Sequence, residues 1–257
     1  MNFKKTLLAV SLTTFAATAV AVPVFDDGDD GVGTGLQSQI NAITVAPSPT
    51  LGISSVNANS DQMADGLDSY WSITGTGGSI STFVMEIAGQ SGSNTFGIYE
   101  HGNVANYVEL FSGTDTFNNG LSSLITLSML ADGSIGLNNA DTGIDFTSHQ
   151  FGYYLGTANG PTFYSDSSLN QNGSDQMVAL QGKNIDTVQI PGVSAGLWTN
   201  NEFVLAWEDK LYAGSDKDFN DLVVMVGSVL PVPEPGTLAL LGLGIAGLGA
   251  ARRRQKS

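Results

Sequence analysis

Six carboxylate or carboxamide side chains crowd one short stretch of the chain: Glu208, Asp209, Asp216, Asp218, Asn220 and Asp221, all within WEDKLYAGSDKDFNDLVVMV, residues 207–226. Carboxylates and amide carbonyls are hard oxygen donors, and a calcium ion takes about six to eight of them. Asp216, Asp218 and Asp221, with Asn220 among them, could supply several ligands from one turn if Lys217 and Phe219 point away. Glu208 and Asp209, at the end of the preceding apolar run, could close the shell. Five unpaired carboxylates in one loop repel one another, and a divalent ion removes that cost. The competing reading is structural: Asp216 and Asp218 cap turns, Asp221 accepts from backbone amides, and Glu208 faces water. Calcium at this loop is the expectation carried forward.

Other chemistries have less to stand on. The chain has no cysteine, which removes disulfides, thiolate catalysis and cysteine-based zinc or iron–sulfur sites. His101 and His149 are the only histidines, and neither sits in a local nucleophile pattern. A glycosidase could place a carboxylate pair among 24 acids, but no spacing selects one, so no catalytic residue is assigned and the chain is expected not to be an enzyme. Phe219, Leu222, Trp207 and Leu205 read as core anchors of the acidic loop. An exposed Trp207 or Trp198 would instead offer a stacking surface for sugar, the basis of an alternative reading as a carbohydrate-binding or adhesive module.

The elements that must hold this loop are strands. Glycine is abundant at 32 of 257 residues and charged residues make up only 13%, a balance suited to short strands and glycine-rich turns. Period-two or apolar runs occur at residues 70–74, 80–88, 95–100, 107–111, 124–130, 149–155, 162–164, 177–181, 187–190, 202–207 and 222–229. A loop is expected at residues 138–143. The expected fold is all-β, an antiparallel jelly-roll-like β-sandwich. Ahead of it, Leu36, Ile40 and Ile43 mark a short amphipathic helix. Asp26–Gly35 lacks the alternating aspartates of a calcium loop, with Gln37 in place of the closing glutamate, and reads as an acidic leader.

Charge is segregated. Residues 22–234 carry all 24 acids against three lysines, a net of −21, which repels nucleic acid and attracts cations. The remaining basic residues lie at the two ends. Lys4 and Lys5, an apolar stretch from Leu7 to Val20 and the small residues Ala19 and Ala21 form a signal-peptide pattern with its cleavage site. At the other end, residues 231–235 read as a stiff proline linker, Thr237–Ala251 as an apolar helix-prone run, and Arg252, Arg253 and Arg254 as its cytoplasmic stop. Gly242, Gly244 and Gly247 match a dinucleotide fingerprint in pattern only, since no strand precedes them.

This tail, VPEPGTLALLGLGIAGLGAARRR, closely resembles the PEP-CTERM sorting signal of Gram-negative bacteria: Pro233, Glu234 and Pro235, a glycine- and leucine-rich span, then the arginine cluster. The resemblance implies processing by an exosortase, a membrane transpeptidase linked to exopolysaccharide production. It further implies transient or permanent anchoring in the inner membrane by a C-terminal transmembrane helix, and a final place at the cell surface or in the extracellular matrix. FGIYEHGNVANYVELF (residues 96–111) and WEDKLYAGSDKDFNDLVV (residues 207–224) are similar to a bacterial domain of unknown function ending in W-E-D and D-x-D-F-N-D-L-V-V. That likeness implies a β-sandwich module without established enzymatic activity. The expected organisation is a signal peptide at 1–21, a leader and short helix at 22–50, the sandwich at 51–230 and the sorting segment at 231–257. The expected role is that of a non-enzymatic surface or matrix protein of the biofilm, stabilised by calcium and associated with exopolysaccharide.

Overall fold

The protein is described from a computed structural model that covers residues 35–47, 53–74, 79–89, 94–112, 124–158, 160–190, 193–233 and Leu243. The expected signal peptide with Ala19 and Ala21, the acidic leader to residue 34, and Glu234, Pro235, Arg252, Arg253 and Arg254 lie outside these residues.

The described chain opens with helix α1 (Leu36–Ile43) and strand β1 (Thr44–Ala46), followed by a single helical turn, α2 (Asp65–Asp68). Strands β2 (Tyr70–Ile73), β3 (Ser79–Gly89), β4 (Thr95–Glu100), β5 (Asn103–Ser112) and β6 (Leu124–Leu130) come next, then β7 (Ser134–Leu137) and β8 (Ala140–Asp145). The second half holds β9 (Phe151–Gly156), β10 (Thr162–Tyr164), β11 (Met177–Gln181), β12 (Thr187–Val188), β13 (Gly196–Leu197), β14 (Glu202–Trp207), β15 (Leu222–Gly227) and β16 (Val229–Val232).

These strands form two large antiparallel sheets and one small one. A seven-stranded sheet runs β11-β14-β15-β3-β6-β7-β8, and a six-stranded sheet runs β16-β2-β9-β4-β5 with β10 beside β9. Trp71, Phe96, Phe151 and Tyr153 from the second sheet meet Phe203, Leu205, Trp207, Leu222, Val224 and Val226 from the first in one buried core. The fold is thus the expected all-β sandwich, and the chain crosses between its two sheets repeatedly.

The seven-stranded sheet is covered on its outer face as well. Alternate residues of β11, β14 and β15, namely Val178, Leu180, Val204, Ala206, Val223 and Met225, are buried there with Leu36, Ile40 and Ile43 of α1 and with Val188, Ile190 and Trp198 around the small sheet β1-β12-β13. Covering on both sides explains why β11, β14 and β15 read as continuous apolar runs rather than alternating ones. Side-chain bonds close the last turn of the helix and tie its first turn to the segment at residues 56–58. Thr44 Oγ1 donates to the Ile40 carbonyl at 2.9 Å, and Gln37 donates to the Val56 carbonyl and accepts from the Ala58 amide.

Three local expectations are corrected. The loop expected at residues 138–143 is a two-residue turn, because Asn138 and Asn139 both take positive φ (50° and 66°) and return the chain directly into β8. The run 222–229 is two strands, broken at Ser228 (φ 59°), where the chain leaves one sheet for the other. The expected proline linker begins as strand. Pro231 pairs with Trp71 in β16, at the edge of its sheet, where a residue without an amide hydrogen leaves no inner ladder bond unmade.

Candidate metal centre

Strands β14 and β15 are paired from Glu202↔Gly227 to Trp207↔Leu222, so residues 208–221 leave and re-enter one end of the hairpin side by side. A short 3-10 turn at Tyr212–Gly214 carries the chain outward. The return is bent by two left-handed residues, Lys217 (φ 66°) and Phe219 (φ 51°). Phe219 is fully buried among the side chains beneath α1, and its amide donates to Glu208 Oε1 at 2.9 Å. One buried aromatic ring therefore fixes both the turn and the glutamate.

Glu208, Asp216 and Asp221 converge as a result, with one carboxylate oxygen from each within 4.8 Å of the others. Glu208 is 0% exposed, and its second oxygen, Oε2, is buried without a hydrogen-bond partner, as is Oδ1 of Asp216. Burial pushes the Glu208 carboxyl upward, with the Asp216 and Asp209 charges adding to the shift against hydrogen bonds from Phe219 and Ser215. Asp221 is pushed up to about 7 by burial and by the neighbouring Asp209 and Glu208 carboxylates, against the Asp209 amide it accepts from. That amide donates to Asp221 Oδ2 at 2.8 Å. Two buried oxygens without a hydrogen-bond partner, in a cluster of three carboxylates, are acceptors that a cation or a shared proton would satisfy. These three residues could hold a metal ion.

The other residues expected at this site stand around it. Asp209 accepts from Asn94 Nδ2 at 3.1 Å and flanks the trio. Asp218 and Asn220 are bonded to each other: the Asn220 amide donates to Asp218 Oδ1 at 3.2 Å, and its side chain donates to Asp218 Oδ2. Asp218 thus caps a turn, as the structural reading of the sequence anticipated for it, and Asp221 accepts a backbone amide while also facing the trio. Trp207 and Trp198 are both fully buried, so neither offers a stacking surface. His101 packs its ring 4.1 Å from that of Tyr70, and His149 Nε2 lies 3.2 Å from the Leu130 carbonyl oxygen.

Sequence reasoning missed the supporting contacts. Gln176, also fully buried, donates to the Glu208 and Lys210 carbonyls, and its own carbonyl accepts the Glu208 amide at 3.0 Å. Asn94 lies more than 100 positions from Asp209 in the chain. Neither residue stands in a motif; only strand pairing brings them near.

Residues 125–228, which include the whole acidic loop, match the family model described as a domain of unknown function (DUF4114). Residues 231–254 match the PEP-CTERM protein-sorting motif. No curated protein and no solved structure matches the chain. The sorting motif marks an exported protein that is recognised by an exosortase-type processing enzyme and held transiently in the membrane through its C-terminal segment. Among the described residues no helix is long and apolar enough to cross a membrane, and the run Thr237–Ala251 lies outside them except for Leu243.

Proposed function

We propose that this exported, PEP-CTERM-bearing chain is a non-catalytic module of the cell surface or extracellular matrix whose β14–β15 loop is clasped by a calcium ion. The observation that carries this reading is the convergence of the Glu208, Asp216 and Asp221 carboxylates, two of which keep a buried oxygen without a hydrogen-bond partner, Glu208 Oε2 and Asp216 Oδ1. The donor set is oxygen only, which suits a hard cation and not zinc or copper. Of the six oxygens on these three carboxylates, Glu208 Oε1 and Asp221 Oδ2 already accept backbone amides, so backbone carbonyls or water would fill the remaining positions. The ion would replace mutual repulsion by attraction and lock a loop that hangs from two interior strands of the larger sheet. In an exported chain without cysteine, such a clasp takes the place of a disulfide. Association with exopolysaccharide in a biofilm is part of the same proposal.

The test is calcium titration of the full chain by calorimetry, paired with thermal melting. Binding to the folded state alone stabilises by about 2.7 kcal/mol at a hundredfold excess over Kd, so a clear rise in Tm is expected, and Glu208→Gln should abolish it. Absence of both heat and a Tm shift in the parent chain would overturn the proposal.

A further inference from the structure

We propose that the outer face of the six-stranded sheet carries a binding site for a neutral carbohydrate, with the Tyr107 ring as stacking platform and Thr95, Glu109 and Thr162 as hydrogen-bonding groups. The site is built across β5, β4, β9 and β10, and none of the residues of the metal centre takes part in it.

Register places these groups on one face in two adjacent rows. Glu109 lies opposite Gly97, Gly97 opposite Tyr154, and Tyr154 opposite Tyr164; in the next row Thr95 and Thr162 both lie opposite Gly156. The glycines are what open the surface. A Cβ on Gly97 would fall 2.5 Å from Tyr154 Cε1, so the Tyr154 ring rests on bare backbone, and a Cβ on Gly156 would fall 2.4 Å from Thr95 Oγ1. Between the rows runs a groove of about 260 Å³. That is below the roughly 300–1,000 Å³ of sites for drug-sized ligands and suits a unit the size of one sugar ring.

Tyr107 stands at the side of this groove. Its ring meets Tyr154 nearly perpendicularly, at 85° with centroids 5.7 Å apart, and it remains 52% exposed. Large aromatic side chains on a sheet face normally spend their area on packing. Tyr154 does so and is 6% exposed, whereas Tyr107 offers a flat apolar ring to solvent beside a carboxylate and two hydroxyls. Burial, and after it the Glu109 charge, pushes the Tyr154 hydroxyl up, so the phenol stays protonated. A sugar ring has the complementary chemistry: an apolar C–H face and a rim of hydroxyls that both donate and accept.

Two other ligand classes fit less well. The lining contains no lysine, arginine or histidine, and the body carries a net charge of −21, so anionic glycans and phosphates are repelled. An ammonium group is held best by several open ring faces; of the three tyrosines lining the groove, Tyr154 is buried and Tyr164 half-buried, which leaves Tyr107 as the most exposed face.

The test is affinity electrophoresis of the full chain through gels cast with a neutral glucan or a neutral mannan, with alginate as the anionic control and choline chloride as competitor. Retardation is expected from at least one neutral polysaccharide and not from alginate. Tyr107→Ala should weaken it about tenfold, Tyr107→Trp should preserve it, and Glu109→Gln, on an exposed side chain, should weaken it, all with unchanged Tm. The proposal is overturned if neither neutral polysaccharide retards the chain, if Tyr107→Ala is retarded like the parent, or if choline abolishes retardation. None of these outcomes touches the calcium reading.

Discussion

At the scale of single residues, the fully buried Glu208 decides the character of the acidic loop. One of its oxygens accepts the Phe219 amide and the other is buried without a hydrogen-bond partner. Its carboxyl and that of Asp221 are both raised, Asp221 to about 7 from an ordinary value of 3.8. The metal-free fold therefore binds more protons than the unfolded chain between about pH 4 and pH 7, and its stability falls as pH rises through that window. Calcium needs the deprotonated carboxylates and releases those protons, so it should reverse the trend. Melting from pH 5 to pH 8 in chelator should show a falling Tm, and the same series in calcium a flat or rising one. Parallel curves would mean that no ion takes the place of the protons. Glu100 is the opposite case: hydrogen bonds from the Thr147 hydroxyl, Asn106, and the Ser148 and Thr147 amides hold its carboxyl down at about 2. Its contribution to stability is present above the ordinary carboxyl range and is lost only as pH falls towards 2.

Between elements, a second carboxylate pair joins α2 to the segment before β11. Burial and the facing Asp65 carboxylate push Asp175 up to about 8, so above that pH two charges face each other in a site that favours one. Because the folded value is raised, the penalty is absent well below pH 4 and complete above pH 8. Asp175→Asn keeps the acceptor for the Met177 amide and removes the charge. It should raise Tm at pH 9 by about 2–4 °C, the response to roughly 1 kcal/mol in a chain of this size, and by less at pH 5. An equal change at both values would show that the effect is packing and not charge. Nothing along the chain announces this pair, since its members lie 110 positions apart and neither belongs to a run of acids. The acidic loop was legible for the opposite reason: its residues are neighbours in sequence.

For the molecule as a whole, stability rests on two cores that share one sheet. The inner core joins the two large sheets, and the outer one lies beneath α1 and the small sheet, with residues 177–180, 203–206 and 222–226 supplying side chains alternately to both. The helix is therefore part of the folded body. Ile40→Ala should cost about 2–5 kcal/mol, the usual range for emptying a buried aliphatic site, read as a lower midpoint in urea. Ile53→Ala, at a residue 61% exposed, should stay within about 0.5 kcal/mol. Similar losses at both positions would contradict the two-core arrangement.

Sequence by itself determined what depends on neighbours along the chain. Runs of β-branched and aromatic residues marked β4, β6, β10, β11 and β14 at their observed bounds, and the density of acids marked the β14–β15 loop. Charge segregation and the Pro-Glu-Pro tail announced export. Tertiary structure decided what depends on meetings across it. It brought the carboxylates of Glu208, Asp216 and Asp221 together, because Phe219 turns the chain back on itself and leaves Asp218 bonded to Asn220. It buried the two tryptophans that sequence offered as sugar platforms and left Tyr107 exposed, because the glycines opposite Tyr99 and Tyr154 let those rings lie flat on the sheet. Periodicity tells which residues share a face, but the partner on the next strand is set by register, and register is a property of the closed fold.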